Sequence, residues 1–316
     1  MELSQSTGGG KSLTAKSKKN RRKIGDRWLP YALIAPTILL IAGLLVFPIF
    51  RVFDLSVQSY DFTRLQEAGY IGFENFRNIF TQDDLFYSSL WITVKWVLVE
   101  VVLQLVFGLI VALLLNRSFR MRGLVRSLVL VPWAVSGVLT TMLWSLMFNQ
   151  HIGIINDILM KLGIIHENIA WLANIDTVFG SVVVAELWRG IPFFAITLLA
   201  ALQTIPNEVY ESCAVDGAGP VKKLFFITLP YLKESIVFAT LLRAIWEFNS
   251  IDMIFTMTNG GPMDMTTTLP IYMMKTSILE GNYGYGSALG VVTFAFLMIF
   301  VIVYLRMNRS GGMQDE

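Results

Sequence analysis

The chain has 316 residues, of which 54% are hydrophobic and 15% charged, with a net charge of +2; soluble domains carry roughly 25% charged residues. A freely soluble globule of this composition would leave more apolar surface in water than water tolerates, so the implied solvent is a bilayer. Cys213 is the one cysteine, which excludes an intrachain disulfide and any multi-cysteine metal site.

Residues 1–30 form a polar, basic tail with eight of the chain's 25 lysines and arginines. Its Gly8-Gly9-Gly10-Lys11-Ser12 run has the ending of a phosphate-binding loop, but Gln5 stands where the first glycine belongs and no strand precedes it. No nucleotide-hydrolysing motif remains. The tail lacks the apolar stretch and small-residue cleavage site of a signal peptide, so it reads as the leader of an uncleaved helix. A helix needs about 20 residues to cross roughly 30 Å of hydrocarbon. Six segments meet that requirement: Tyr31 to Phe50, Leu90 to Leu115, Ser127 to Phe148, Thr177 to Leu202, Ile236 to Met257 and Tyr283 to Leu305. The first, third and sixth are uncharged, whereas the others carry charges that lipid penalises unless they face protein or water. Of the lysines and arginines, 17 fall on the side of the N-terminal tail, five on the opposite side and three within spans. By the positive-inside rule both termini are cytoplasmic.

Few motifs promise chemistry. His166-Glu167 begins a zinc-protease pattern, but Ala170 occupies the second ligand position, and no nucleophile, base and orienter occur together. Neither a catalytic residue nor a metal site is expected. The longest cytoplasmic connection, 205–233, has the grammar of two short helices. Pro206 suits the first turn of one, Gly217 its left-handed stop, and Pro220 the first turn of the next. Small residues at Ser212, Cys213 and Ala214 allow close approach to another protein, with Glu211 presenting a charge.

The spaced residues Glu211-Ser212-Cys213-Ala214, Asp216-Gly217-Ala218-Gly219, then Ile227, Leu229 and Pro230, resemble the EAA loop of binding-protein-dependent ABC importer permeases. Gly72-Phe73-Glu74-Asn75-Phe76 and Thr258-Asn259-Gly260-Gly261-Pro262 look like the carbohydrate-uptake branch that includes the large maltose permease subunit; Ser212 and Cys213 replace two customary alanines. The resemblance implies an all-α integral membrane protein of six transmembrane helices with the type I ABC importer permease fold, in the bacterial cytoplasmic (inner) membrane. It also implies a basic tail at 1–30, a permease domain at 31–306 and a cytoplasmic tail at 307–316. Partners would be a second homologous permease, an ATPase dimer that binds ATP and Mg, and an extracytoplasmic sugar-binding protein. The chain itself would hold no cofactor and bind no nucleic acid. Glu211 would pair with an ATPase arginine.

The intramembrane charges suggest where a substrate passes. Arg243, Trp246, Glu247 and Ser250 share one face of span five, and Glu186, Gly190 and Phe193 share one face of span four. Pro192 removes an amide donor and is expected to bend span four. In the resembling subunit the corresponding positions line the sugar site, and Trp246 and Phe193 suit the C–H faces of a sugar. The competing reading is that Glu186 with Arg189, and Arg243 with Glu247, neutralise each other and only pack helices. Lys95 is expected to snorkel outward. A secondary transporter of a small polar solute, with no ATPase partner, is the alternative class.

Overall fold

The computed structural model describes residues 24–309. The nucleotide-loop look-alike, most of the basic tail and the end of the C-terminal tail lie outside them. Two units are described separately, one ending at Arg51 and one beginning at Val52. In the first, α1 (Ile24–Ile41) runs through Pro30 and Pro36 into a π-helical turn, Ala42–Val46. The helix therefore starts within the expected 1–30 tail, and Trp28 and Leu29 extend the apolar run at its start. α2 (Phe47–Ser56) crosses the boundary between the units.

Beyond Val52 the chain makes a two-stranded antiparallel ribbon, β1 (Gln58–Ser59) with β2 (Gly69–Tyr70). The motif at 72–76 opens α3 (Glu74–Thr81). Its Gly72 adopts φ +63°, and buried Asn75 donates to the carbonyls of Ser56 and Gln58 at 3.0 Å. The motif thereby pins the ribbon to the helix end.

Four further helices are long and apolar enough to span: α4 (Asp84–Asn116), α8 (Ile175–Leu202), the helix that includes α11 (Leu229–Phe248), and α14 (Tyr283–Arg309). The third expected span is not straight. It is α5 (Arg122–Ala134) and α6 (Gly137–Met147), bent by 91°. Pro132 removes a helix donor, and Val135 and Ser136 are extended at ψ 139° and 135°. The six expected crossings thus correspond to five segments long and apolar enough to span and this bent pair.

Two more boundaries differ from expectation. Span five breaks after Phe248 and resumes as α12 (Asp252–Thr258), so Asn249, Ser250 and Ile251 are not on a continuous helix. The second short helix of the cytoplasmic loop is not separate. α10 (Pro220–Lys223) runs through a π-helical turn, Leu224–Thr228, directly into α11. Span four contains Pro192 yet continues as one helix from Ile175 to Leu202.

The core is the contact of α4 with α8 and α11. The buried face of α4 repeats at helical spacing as Ser89, Thr93, Trp96, Glu100, Gln104, Gly108 and Ala112. Two glycines set the approach: a Cβ on Gly108 would strike Phe194 of α8, and one on Gly190 of α8 would strike the Gln104 amide. Toward the cytoplasm this seam is apolar, with Leu115, Leu198, Leu202 and Leu232.

At the outer end Asp83 caps α4 by accepting from Phe86 N, and it accepts the hydroxyls of Tyr272 and Tyr285 at 2.8 and 2.6 Å. That joins α4 to α13 (Leu269–Met274) and α14. Gly286 and Gly290 of α14 face Ser277 and Met273, so this small-residue pair serves packing within the subunit. An amphipathic helix, α7 (Ile154–Lys161), follows α6.

Candidate functional site

Five charged residues of spans two, four and five, Glu100, Glu186, Arg189, Arg243 and Glu247, meet in one cluster. Arg189 holds both carboxylate oxygens of Glu186 at 2.8–3.2 Å. Arg243 donates to Glu186 at 2.9 Å and to Gln104 Oε1 at 2.6 Å, and it pairs with Glu247. The Gln104 amide nitrogen donates to Glu100 at 2.9 Å and to Glu247 at 3.0 Å, while Trp96 Nε1 donates to the other Glu247 oxygen at 3.1 Å. Gln104 thus uses its oxygen and both N–H donors to join two helices, α4 and α11. Charges removed from water must find such partners inside the protein.

Only part of this cluster is closed. A cavity of about 210 Å³ is lined by Glu186, Arg189, Arg243, Trp246, Glu247 and the broken segment 249–252. Of the expected pathway residues, Glu186, Arg243, Trp246, Glu247 and Ser250 line it. Gly190 does not, because it is buried under Gln104, and Phe193 does not, because its ring packs edge-on against Trp246 with centroids 5.1 Å apart. Trp246 remains 42% exposed, which leaves ring surface free toward the cavity. Lining and packing are therefore not exclusive: Glu186, Arg243 and Glu247 do both.

Sequence reasoning passed over Trp96 and Gln104 and found no role for Glu100. The usable signal was their spacing, i, i+4 and i+8 along one face of an otherwise apolar span. Lys95 is exposed, and its Nζ sits 4.1 Å from the centroid of the Phe179 ring, a cation–π contact.

The cytoplasmic loop is a compact helix-turn. In α9 (Asn207–Val215), Pro206 is the N-cap residue, one position ahead of the expected first turn, with ψ 140°. Gly217 has φ +74°. Ala218 N donates to Cys213 O at 2.9 Å, and Gly217 N donates to Ala214 O at 3.1 Å. That is the Schellman arrangement, which demands a left-handed residue at position 217. Glu211, Ser212, Ala214, Asp216, Gly217 and Gly219 are exposed, and Cys213 and Ala218 are half-buried. Exposed Val215, Val221 and Phe226 lie in the same loop.

This loop is tied to the start of span five. Tyr210 and Thr228 hydroxyls meet at 3.1 Å, and Lys223 Nζ donates to Tyr210 O at 3.2 Å. Pro220 to Phe248 is then unbroken helix, a rod of about 40 Å at 1.5 Å per residue. Its far end carries Arg243, Trp246 and Glu247.

The outer turn at Asn259-Gly260-Gly261-Pro262 is closed by threonines. Asn259 and Gly260 have φ 50° and 79°, and Gly261–Pro262 is cis. Thr267 donates to Gly260 O, and Thr258 and Thr266 hydroxyls meet at 2.8 Å. A Cβ at Gly260 would collide with Thr267.

A membrane helix bundle with a polar cavity in its wall, joined by a continuous helix to an exposed cytoplasmic helix-turn, defines a transport permease. The chain belongs to the family described as the binding-protein-dependent transport system inner membrane component, which matches residues 104–310. It is 38% identical over 287 residues to the sulfoquinovosyl glycerol transport system permease protein SmoG of Agrobacterium fabrum, covering 91% of this chain and 92% of that one. It is 35% identical over 298 residues to the trehalose/maltose transport system permease protein MalF of Thermococcus litoralis, covering 94% and 98%. A crystal structure of a bacterial ABC transporter involved in import of the acidic polysaccharide alginate contains a chain of the same fold, with TM-score 0.78, 22% identity, and coverage of 91% of this chain and 97% of that one. The protein is thus a multi-pass inner-membrane permease component of an ABC importer with the type I fold, a component distinct from the catalytic ATPase subunit.

Proposed function

We propose that this chain is the sugar-conducting permease subunit of an ATP-driven importer, oligosaccharides being its substrate class, with both termini in the cytoplasm. The carrying observation is the cavity in which Trp246 offers an aromatic surface beside hydrogen-bonding groups that a buried network holds in place. Saccharides need that combination. The cavity, about 210 Å³, is smaller than the roughly 300 Å³ lower bound of ordinary ligand pockets. One subunit therefore encloses part of an oligosaccharide, and a second, homologous permease supplies the opposing wall. The names of the similar permeases support a sugar as the cargo.

In this reading, Glu211 and the small residues 212–214 seat α9 in a cleft of the ATPase dimer, with Asp216, Gly217, Ala218 and Gly219 shaping the turn. ATP and Mg are bound by that partner. When the ATPase subunits close, α9 moves, and its ties from Tyr210 to Lys223 and Thr228 pass the displacement to the helix bearing Arg243, Trp246 and Glu247. The cavity alternates its opening between a binding protein outside and the cytoplasm inside. The permease domain at 31–306 carries the pathway, and the terminal tails lie in the cytoplasm.

The test is uptake by proteoliposomes holding the assembled complex. Loaded binding protein should stimulate ATP hydrolysis, and Trp246→Ala should lower that stimulation about three- to tenfold, the loss expected for one aromatic contact. Uptake that runs on an ion gradient without nucleotide would replace this reading with a secondary transporter.

A further inference from the structure

The charges facing the cavity do not balance. Glu186 and Glu247 are matched by Arg189 and Arg243, which they pair with directly. Asp252 lines the same cavity, is exposed, and forms no ion pair within 4 Å among the described residues, although its charge is felt by Arg189 across the cavity. Glu100 lies behind the wall, fully buried, and its Oε1 has no hydrogen-bond partner. The lysine on its own helix, Lys95, contacts Phe179 and does not line the cavity. The surplus is therefore negative, and it persists through Asp252 even if Glu100 is counted as neutral.

The position of that surplus matters. Arg189 and Arg243 are each already neutralised by a bonded glutamate, so a ligand anion meets ion pairs with no net positive charge rather than free cations. Asp252 opens α12 just after the break at 249–251 and its side chain is exposed, so it meets a ligand without first giving up an ion pair. A second negative charge brought within a few ångströms of it is repelled, and the low-dielectric wall weakens screening. Hydroxyls and ammonium groups are instead offered an acceptor.

The geometry points to Asp252 as a specificity-determining residue that makes this cavity select neutral or amine-bearing saccharides and exclude anionic ones. The inference rests on the cavity being a sugar site. It is tested with three matched disaccharides, cellobiose, chitobiose with free amines, and cellobiouronic acid. Their binding is measured directly to the purified complex in nanodiscs with the binding protein left out, so that only the permease discriminates.

Cellobiose and chitobiose should bind at least about tenfold more tightly than the uronic acid, the ratio one unscreened like charge produces. Asp252→Asn should cut that ratio about tenfold, and Asp252→Glu should retain it. Equal binding of the acid by the wild-type complex overturns the inference, as does an unchanged ratio in Asp252→Asn. Should Asp252→Asn fail to assemble, Asp252→Ser takes its place, with the same loss of ratio expected and an unchanged ratio overturning the inference. Binding of none of the three disaccharides overturns the sugar-site reading itself, which separates the two failures.

Discussion

The helix-turn around Gly217 and the cluster around Gln104 are stabilised in opposite ways. The turn is held by hydrogen bonds between residues a few positions apart, such as Ala218 to Cys213, and the Glu211 side chain makes no hydrogen bond or ion pair among the described residues. The cluster adds to its own i,i+3 and i,i+4 pairs bonds between residues 57 to 151 positions apart, as in Arg243 to Glu186 and Trp96 to Glu247. One presents unspent polar capacity to a partner, whereas the other has nearly exhausted its own. A surface meant for another protein can leave charges in water at little cost, but a cluster between membrane helices cannot. Substitutions should therefore affect assembly and stability in the cluster, and coupling alone in the turn.

The largest effect is expected from Arg243→Leu. It leaves Glu186 without one of its two arginines and Glu247 without any, and it orphans Gln104 Oε1. Removing one partner of a buried pair costs about 3–5 kcal/mol. Yield and thermal unfolding of the purified complex should both fall sharply, and Arg243→Lys should not restore them, because an ammonium cannot reach three acceptors in one plane. Adding Glu247→Leu to Arg243→Leu should recover part of the loss. A single variant with wild-type thermal stability would show that the cluster is not the structural centre of the bundle.

The same contrast explains what could be read from the chain. The coupling turn was legible because its signals are local: Gly217 and Pro220 at fixed offsets, and charge asymmetry placing the loop inside. Spans were legible because hydropathy needs no tertiary information. Arg243 and Glu247 were legible as a face, but whether they pack or line depended on Gln104 and Trp96, more than 130 positions away. No local period reveals that α4 supplies the hub. The bend at Val135 and the break at Asn249 were obscured for a related reason. Apolar composition continues through the first, and at the second Asn249, Ser250 and Asp252 fit a polar helix face as well as a break, so only the backbone shows where the helix stops.

An intermediate effect is expected at Glu211. Because the side chain is exposed and unpaired, Glu211→Lys should leave insertion, yield and thermal stability of the permease unchanged. It should still reverse the charge offered to the ATPase, lowering its co-purification and abolishing uptake. A fall in permease stability would place Glu211 in the fold and erase the contrast with Arg243.

Gly217→Ala sharpens the comparison most finely, because it perturbs the turn without changing its charge. A Cβ there meets nothing within 4 Å, so the substitution causes no clash within the subunit. Its cost is the left-handed backbone at φ +74°, about 1–2 kcal/mol for a residue with a Cβ. Asn, which tolerates this region better, should cost less. The strain falls on the last turn of α9, away from the α4–α8–α11 core, so global unfolding of the complex should shift little. Backbone amide exchange at residues 216–218 should accelerate about five- to thirtyfold in Gly217→Ala, the factor equivalent to that cost. ATPase stimulation should decline in the order Gly, Asn, Ala. If exchange accelerates equally at Gln104 and Arg243, the turn and the cluster form one cooperative unit, and displacement of α9 cannot be transmitted as a rigid movement of the span-five helix.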